Sequence, residues 1–196
     1  MANTPFIVSI DRISDFVEIG KITMLTREYF SPKLNLVFVL PDNWNEYPNK
    51  EVSLFFAGPK EGIYTPNMAI DVWQIENIQP GSYLQAAEVA SSRMKANYNA
   101  AVNSQEIKVD GYRSAIYTFS WIDQVSGLEA IQVHLYVQLE DRIFWFNFNT
   151  TGELRATYLP LFKNIINSIR FLPQPRYTTW ADNVSYSRSE KPEKND

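Results

Sequence analysis

Hydrophobic and polar positions alternate without a fault from Ile131 to Leu139. Ile131, Val133, Leu135, Val137 and Leu139 fall on one side, and Gln132, His134, Tyr136 and Gln138 on the other. A period of two predicts a strand with one aliphatic face. Glu140-Asp141-Arg142 is too polar to continue it and predicts a turn. Alternation then resumes, with Phe144, Phe146 and Phe148 opposed to Ile143, Trp145 and Asn147. Past Gly152 the period becomes helical: Tyr158, Leu161, Phe162, Ile165, Ile166 and Ile169 form one apolar stripe. A helix with a single apolar stripe is built to lie on a sheet.

The same reading upstream gives mostly strands. Leu34 to Leu40 is a strand stopped by Pro41, Glu51 to Ala57 one ended by Gly58-Pro59, and Asn67 to Ile75 another. A helix of about five turns is predicted from Gly81 through Val102. Its apolar side is Leu84, Ala87, Ala90 or Ser91, Met94 and Tyr98, and its wet side Gln85, Glu88, Arg93 and Lys95. Glu106 to Val109 is a short strand before a turn at Asp110-Gly111, and Tyr112 to Trp121 a long one before a hairpin loop around Ser126-Gly127. The first thirty residues are ambiguous. Phe6 to Ile10 suits a short strand, and Ile13, Phe16, Val17 and Ile19 a short helix capped near Ser14. Lys21 to Phe30 suits either, with a hairpin across Pro32 preferred.

Runs of strands joined by hairpins predict an antiparallel sheet. The expected class is α+β: a twisted antiparallel sheet sandwiched with two main helices, which share one face or take opposite faces. Three segments follow: a partly structured N-terminal extension (1–33), the sandwich domain (34–172), and a polar tail (173–196) without apolar period, expected to be disordered.

Composition narrows the function classes. The net charge is −4 and no basic patch stands out, so nucleic acid is not an expected partner. The chain holds no cysteine, which excludes disulfides, thiol catalysis and cysteine metal sites. No apolar run approaches the roughly 20 residues of a membrane helix. The start lacks the basic and apolar pattern of a signal peptide. The expected compartment is the cytoplasm, with the periplasm or thylakoid lumen as the alternative if a signal peptide has been removed.

No residue set resembles an active site, so no enzyme, metal or cofactor is expected. His134 is the sole histidine and reads as a bystander in the polar row of its strand. The carboxylates mostly fall in turns or at strand ends, where solvated charges belong. The aromatics carry more. A sheet covered on both sides needs two apolar faces, and Trp73, Tyr136, Ile143 and Trp145 lie on the face opposite the phenylalanines. If the helices leave part of it open, these four residues form a groove suited to a partner helix.

Several strings, in order, resemble those of DcrB-like proteins. Phe38-Val39-Leu40-Pro41-Asp42-Asn43-Trp44 is similar to their F-x-L-P-x-x-W opening. Leu54 to Pro59 followed by Asn67 to Ile70 resembles their second and third strands, and Val109 to Ala115 their V-x-G-x-x-x-A. The closing strand pair and the helix ending Ser168-Ile169-Arg170-Phe171 resemble theirs too. The resemblance spans about residues 34–172. It implies a PsbP-like α/β/α sandwich of mostly non-catalytic proteins, among them lumenal or periplasmic accessory proteins and the cytoplasmic Eag chaperones of type VI secretion. By that resemblance the expected partner is an apolar helical segment of a secreted effector, and a homodimer is plausible. The chain departs from the family in its N-terminal extension, its charged tail, and the absence of a lipoprotein cysteine and signal.

Overall fold

The faultless alternation after Ile131 folds as the centre of a large sheet. In the computed structural model, which describes residues 15–19, 22–75, 77–140 and 142–173, β9 (Glu129–Leu139) turns tightly into β10 (Arg142–Thr151), with Leu139 opposite Arg142 and Ala130 opposite Thr151. Before them in the chain come β1 (Asp15–Ile19), β2 (Ile22–Ser31), β3 (Leu36–Pro41), β4 (Asn45–Glu46), β5 (Leu54–Ala57) and β6 (Asn67–Gln74). Then follow α1 (Ser82–Tyr98), β7 (Ala101–Val109) and β8 (Tyr112–Ile122); α2 (Arg155–Ser168) and β11 (Arg170–Phe171) come after β10.

Seven strands form one sheet in the order β4-β5-β6-β10-β9-β8-β7, and every neighbouring pair is antiparallel. The α+β sandwich expected from the hairpin pattern is present, and the helices take opposite faces. One face carries Phe144, Phe146, Phe148, Leu135, Val137, Met68 and Ile70, packed against Phe162, Ile165 and Ile166 of α2. The other carries Ala115, Tyr117, Phe119, Tyr136 and Ile143, packed against Tyr83 and Ala87 of α1. Strand alternation thus divides one set of side chains into two cores.

A second sheet was not anticipated. Four strands in the order β1-β2-β3-β11 complete the α2 side of the sandwich. Leu36, Phe38 and Leu40 of β3 and Phe171 of β11 belong to the same core as Phe56 and Phe146. The hairpin across Pro32 is confirmed, with Ser31 opposite Leu36 and Thr26 opposite Pro41. The short helix expected around Phe16 and Val17 is instead strand β1, paired with β2 from Asp15↔Thr26 to Ile19↔Ile22. Pairing with a neighbour overrides weak local preference. So residues 15–31 of the presumed extension are strands of the fold itself. The strand expected at Phe6 to Ile10 lies outside the described residues, as does the tail from 174.

Helix α1 ends earlier than its expected limit at Val102. Asn99 adopts a left-handed conformation (φ 52°) and its N–H bonds to the Lys95 carbonyl, closing the helix. The freed residues start β7, which is longer than the short strand expected from Glu106. Buried Trp44 sits against Phe162, ring centres 6.4 Å apart, so the turn-rich segment around it is anchored from inside.

Candidate functional site: an aromatic-floored cleft beside α1

Helix α1 packs on β7, β8 and β9. Its core contacts are made by a narrow stripe, Tyr83, Ala87 and Ser91, spaced four residues apart. Small residues let the helix sit close to the sheet, but one helix is only about 10 Å wide. Strands β10 and β6 therefore extend beyond it on the same face. Between the flank of α1 and that strip of sheet runs a cleft of about 690 Å³.

Its helical wall is made by Ser82, Ala86, Val89, Ala90, Arg93 and Met94, one side of α1 over three turns. Its floor is aromatic: Trp73 of β6, Trp145 of β10, and His134 and Tyr136 of β9. The two indoles stack with ring centres 5.9 Å apart at 21°. Registry produces this, because Trp145 stands opposite Tyr136 on one side and Asp71 on the other, and Trp73 opposite Ile143. Asp71 holds the floor in place: it accepts from the Trp73 indole N–H at 3.3 Å and from the Ser53 hydroxyl at 2.9 Å.

Of the four residues expected to bind a partner, Trp73, Tyr136 and Trp145 line this cleft and Ile143 does not. Ile143 is wholly buried in the core beneath α1. Tyr136, beneath the cleft, is also wholly buried, and burial pushes its hydroxyl well above the ordinary phenol range. Trp73 and Trp145 are half-buried.

His134 needs correction. It is not a bystander on a solvated sheet surface: it is 6% exposed and lies in the cleft floor. Its ring makes T-shaped contacts with Phe119 at 4.8 Å and with Trp145 at 5.4 Å. Nε2 lies 3.2 Å from Gln132 Oε1, which can only accept, so Nε2 carries the proton and Nδ1 accepts from the Tyr136 hydroxyl at 3.1 Å. Burial drives its pKa down to about 4, and the ring is neutral near pH 7. A polar letter in an alternating strand cannot tell solvent from a covering helix, which is why the pattern missed it.

Chemically the cleft offers mainly apolar surface, and the Trp145 indole N–H in its floor has no hydrogen-bond partner among the described residues. Among the described residues Arg93 alone brings a formal charge to its lining. Among the described residues no group of three or more His, Cys, Asp or Glu side chains is arranged to hold a metal ion. No described helix is long and apolar enough to cross a membrane.

No family model matches this chain, and no curated protein matches it. Solved structures do. The solution structure of cyanobacterial PsbP (CyanoP) from Synechocystis sp. PCC 6803 aligns with a TM-score of 0.59 at 16% identity, over 78% of this chain and 95% of that one. The crystal structure of LpqN from Mycobacterium tuberculosis, a protein involved in cell envelope biogenesis, aligns at 0.60 and 10% identity, over 76% of this chain and 91% of that one. A crystal structure from Bacteroides thetaiotaomicron VPI-5482 aligns at 0.54 and 15% identity, over 75% and 48%. The chain thus has a PsbP-like fold, as its sequence strings implied.

Proposed function

We propose that this chain is a non-enzymatic binding module whose cleft beside α1 receives an apolar helical segment of another protein. The observation that carries the proposal is the unfilled half of the sheet face. From β9 to β6 is two strand spacings, about 10 Å, which is the width of a helix. The wall of α1 from Ser82 to Met94 is about 18 Å long. A second helix laid beside α1 at the usual 8–10 Å interaxial distance would cover Trp73 and Trp145. It would remove apolar surface from water on both partners, the main favourable term in such docking.

The finer form of the reading is a DcrB-like chaperone or adaptor acting in the cytoplasm, which holds a hydrophobic segment of a secreted type VI effector before export. The order of DcrB-like strings between residues 34 and 172 supports it. Calorimetric titration of the full chain with synthetic apolar helical peptides tests the binding reading. Saturable one-to-one binding supports it. Absence of binding to any peptide that is helical in solution removes it. An exported accessory protein of the envelope is the second reading, favoured by the fold shared with LpqN. Fractionation of the native cells separates the two.

A further inference from the structure

The two edges of the seven-stranded sheet are unlike. One edge is β4, only two residues long and preceded closely by Pro41. Short edge strands are a standard protection against unwanted pairing. The other edge is β7, nine residues with no proline or glycine, exposed at Ala101, Asn103, Ser104, Gln105, Glu106 and Lys108.

The hairpin fixes which backbone groups of β7 are free. Asp110 and Gly111 both have positive φ, 50° and 84°, and Val109 stands opposite Tyr112. That is a two-residue turn of the I′ kind, in which the flanking residues form a hydrogen-bonded pair. Alternation then aims the N–H and C=O of Val109, Ile107, Gln105 and Asn103 at β8. Those of Lys108, Glu106, Ser104 and Val102 point outward, unpaired by any strand among the described residues.

We propose that β7 pairs with β7 of a second copy of this chain, antiparallel about a two-fold axis through Gln105. That register places Val102 opposite Lys108 and Ser104 opposite Glu106, in both directions. All four outward residues of each strand then form hydrogen-bonded pairs, which no other symmetric register achieves. The strand does not repel its copy, because it carries one Glu and one Lys although the chain is net −4. Each Glu106 is already neutralised by Arg113 at 3.3 Å within its own copy.

The axis stands perpendicular to the merged sheet, so both α1 helices lie on one side. The two clefts open on that same side, their β10 floors seven strand spacings apart, about 34 Å. The pairing itself does not depend on what the clefts bind.

Two experiments on the full chain decide it. Sedimentation velocity is expected to find a dimer. Ser104→Pro removes a donor that faces away from β8, so it raises the dimer dissociation constant at least tenfold while the circular dichroism of the fold stays unchanged. Because the chain has no cysteine, an introduced thiol reports the register. Gln105→Cys meets its own copy across a non-hydrogen-bonded pair at about 4.5 Å between Cα atoms, within disulfide range, and oxidation yields a covalent dimer. Asn103→Cys is displaced from its copy by four residues, about 13 Å, and stays uncrosslinked. A chain that sediments as a monomer at every concentration overturns the proposal. So does a dimer indifferent to Ser104→Pro, or a crosslink at Asn103→Cys or Ile107→Cys but not at Gln105→Cys.

Discussion

The Tyr136 hydroxyl lies 3.1 Å from His134 Nδ1, and both rings are buried. Burial of the His134 ring makes stability depend on pH. Burial lowers the folded-state pKa of His134 from 6.5 to about 4, while the unfolded chain keeps the ordinary value. Between these values the unfolded state binds the proton that the folded state refuses, so stability rises with pH. The contribution is fully present above about pH 6.5 and is lost as pH falls toward 4, on the order of 3 kcal/mol in all. Denaturant melts at pH 7 and pH 4.5 are expected to show this loss, and His134→Gln to flatten it. An unchanged slope in the variant would assign the acid sensitivity elsewhere.

The opposite core depends on rings that join α2 to the sheet. Phe162 is buried, 5.0 Å from the Phe148 ring and 6.4 Å from Trp44. Phe162→Ala removes most of a ring that has no room to be replaced by collapse from three sides. A cost of about 3–5 kcal/mol is expected, with the melting temperature lowered by roughly 6–20 °C. Val125→Ala, at a position 97% exposed, should shift stability by no more than about 0.5 kcal/mol. Thermal melts of the two variants side by side check the contrast.

Gly58 is required by a close approach. A Cβ there would stand 2.7 Å from Trp44 Nε1 and 2.9 Å from Cε2, and Trp44 is held rigidly in the core. Its own backbone is not in the left-handed region, so a substitution tests contact alone. Gly58→Ala should destabilise by about 1–3 kcal/mol through displacement of the indole. Near-ultraviolet circular dichroism should show the altered tryptophan environment. A stable variant with an unchanged spectrum would mean that the loop moves instead.

Sequence periodicity revealed the parts of this fold whose two faces differ in polarity. β9, β10 and α2 were legible because their apolar residues recur at one strict period, and burial on one face enforces it. In the small sheet β3 and its hairpin with β2 across Pro32 were legible, but β1 was not, since Phe16, Val17 and Ile19 fit a helical and an extended spacing equally well. β1 is settled by its hairpin with β2, a pairing that the periodicity of a single segment does not register. The helix limit at Val102 failed because Asn99, unlike glycine, gives a weak stop signal, yet it takes the left-handed cap. The floor of the cleft was half legible. Trp73, Tyr136 and Trp145 announced a second aromatic face, whereas His134 beside them looked wet because the rings that enclose it, Phe119 and Trp145, stand on neighbouring strands that its own strand pattern does not show. Ile143 was placed on the correct face, but alternation assigns faces and not depth.

Binding at the cleft is best separated from folding by changing its exposed wall. Val89 is 53% exposed on the side of α1 that faces Trp73 and Trp145 across the cleft. Val89→Asp adds a carboxylate to an apolar wall and removes nothing from either core, so the fold should keep its stability to within about 0.5 kcal/mol. Docking an apolar helix there would desolvate that charge, a cost that an exposed-helix pairing with Arg93 one turn on offsets only by a few tenths of a kcal/mol. The affinity for an apolar helical peptide is expected to fall at least tenfold, equal to about 1.4 kcal/mol. Ile63, 79% exposed in the loop between β5 and β6, supplies the control: Ile63→Asp adds the same charge outside the cleft lining and should leave affinity unchanged. If both variants bind as the parent chain does, the peptide seats elsewhere. If both lose affinity equally, charge repulsion at a distance and not contact governs the binding, and raising the salt concentration would restore it.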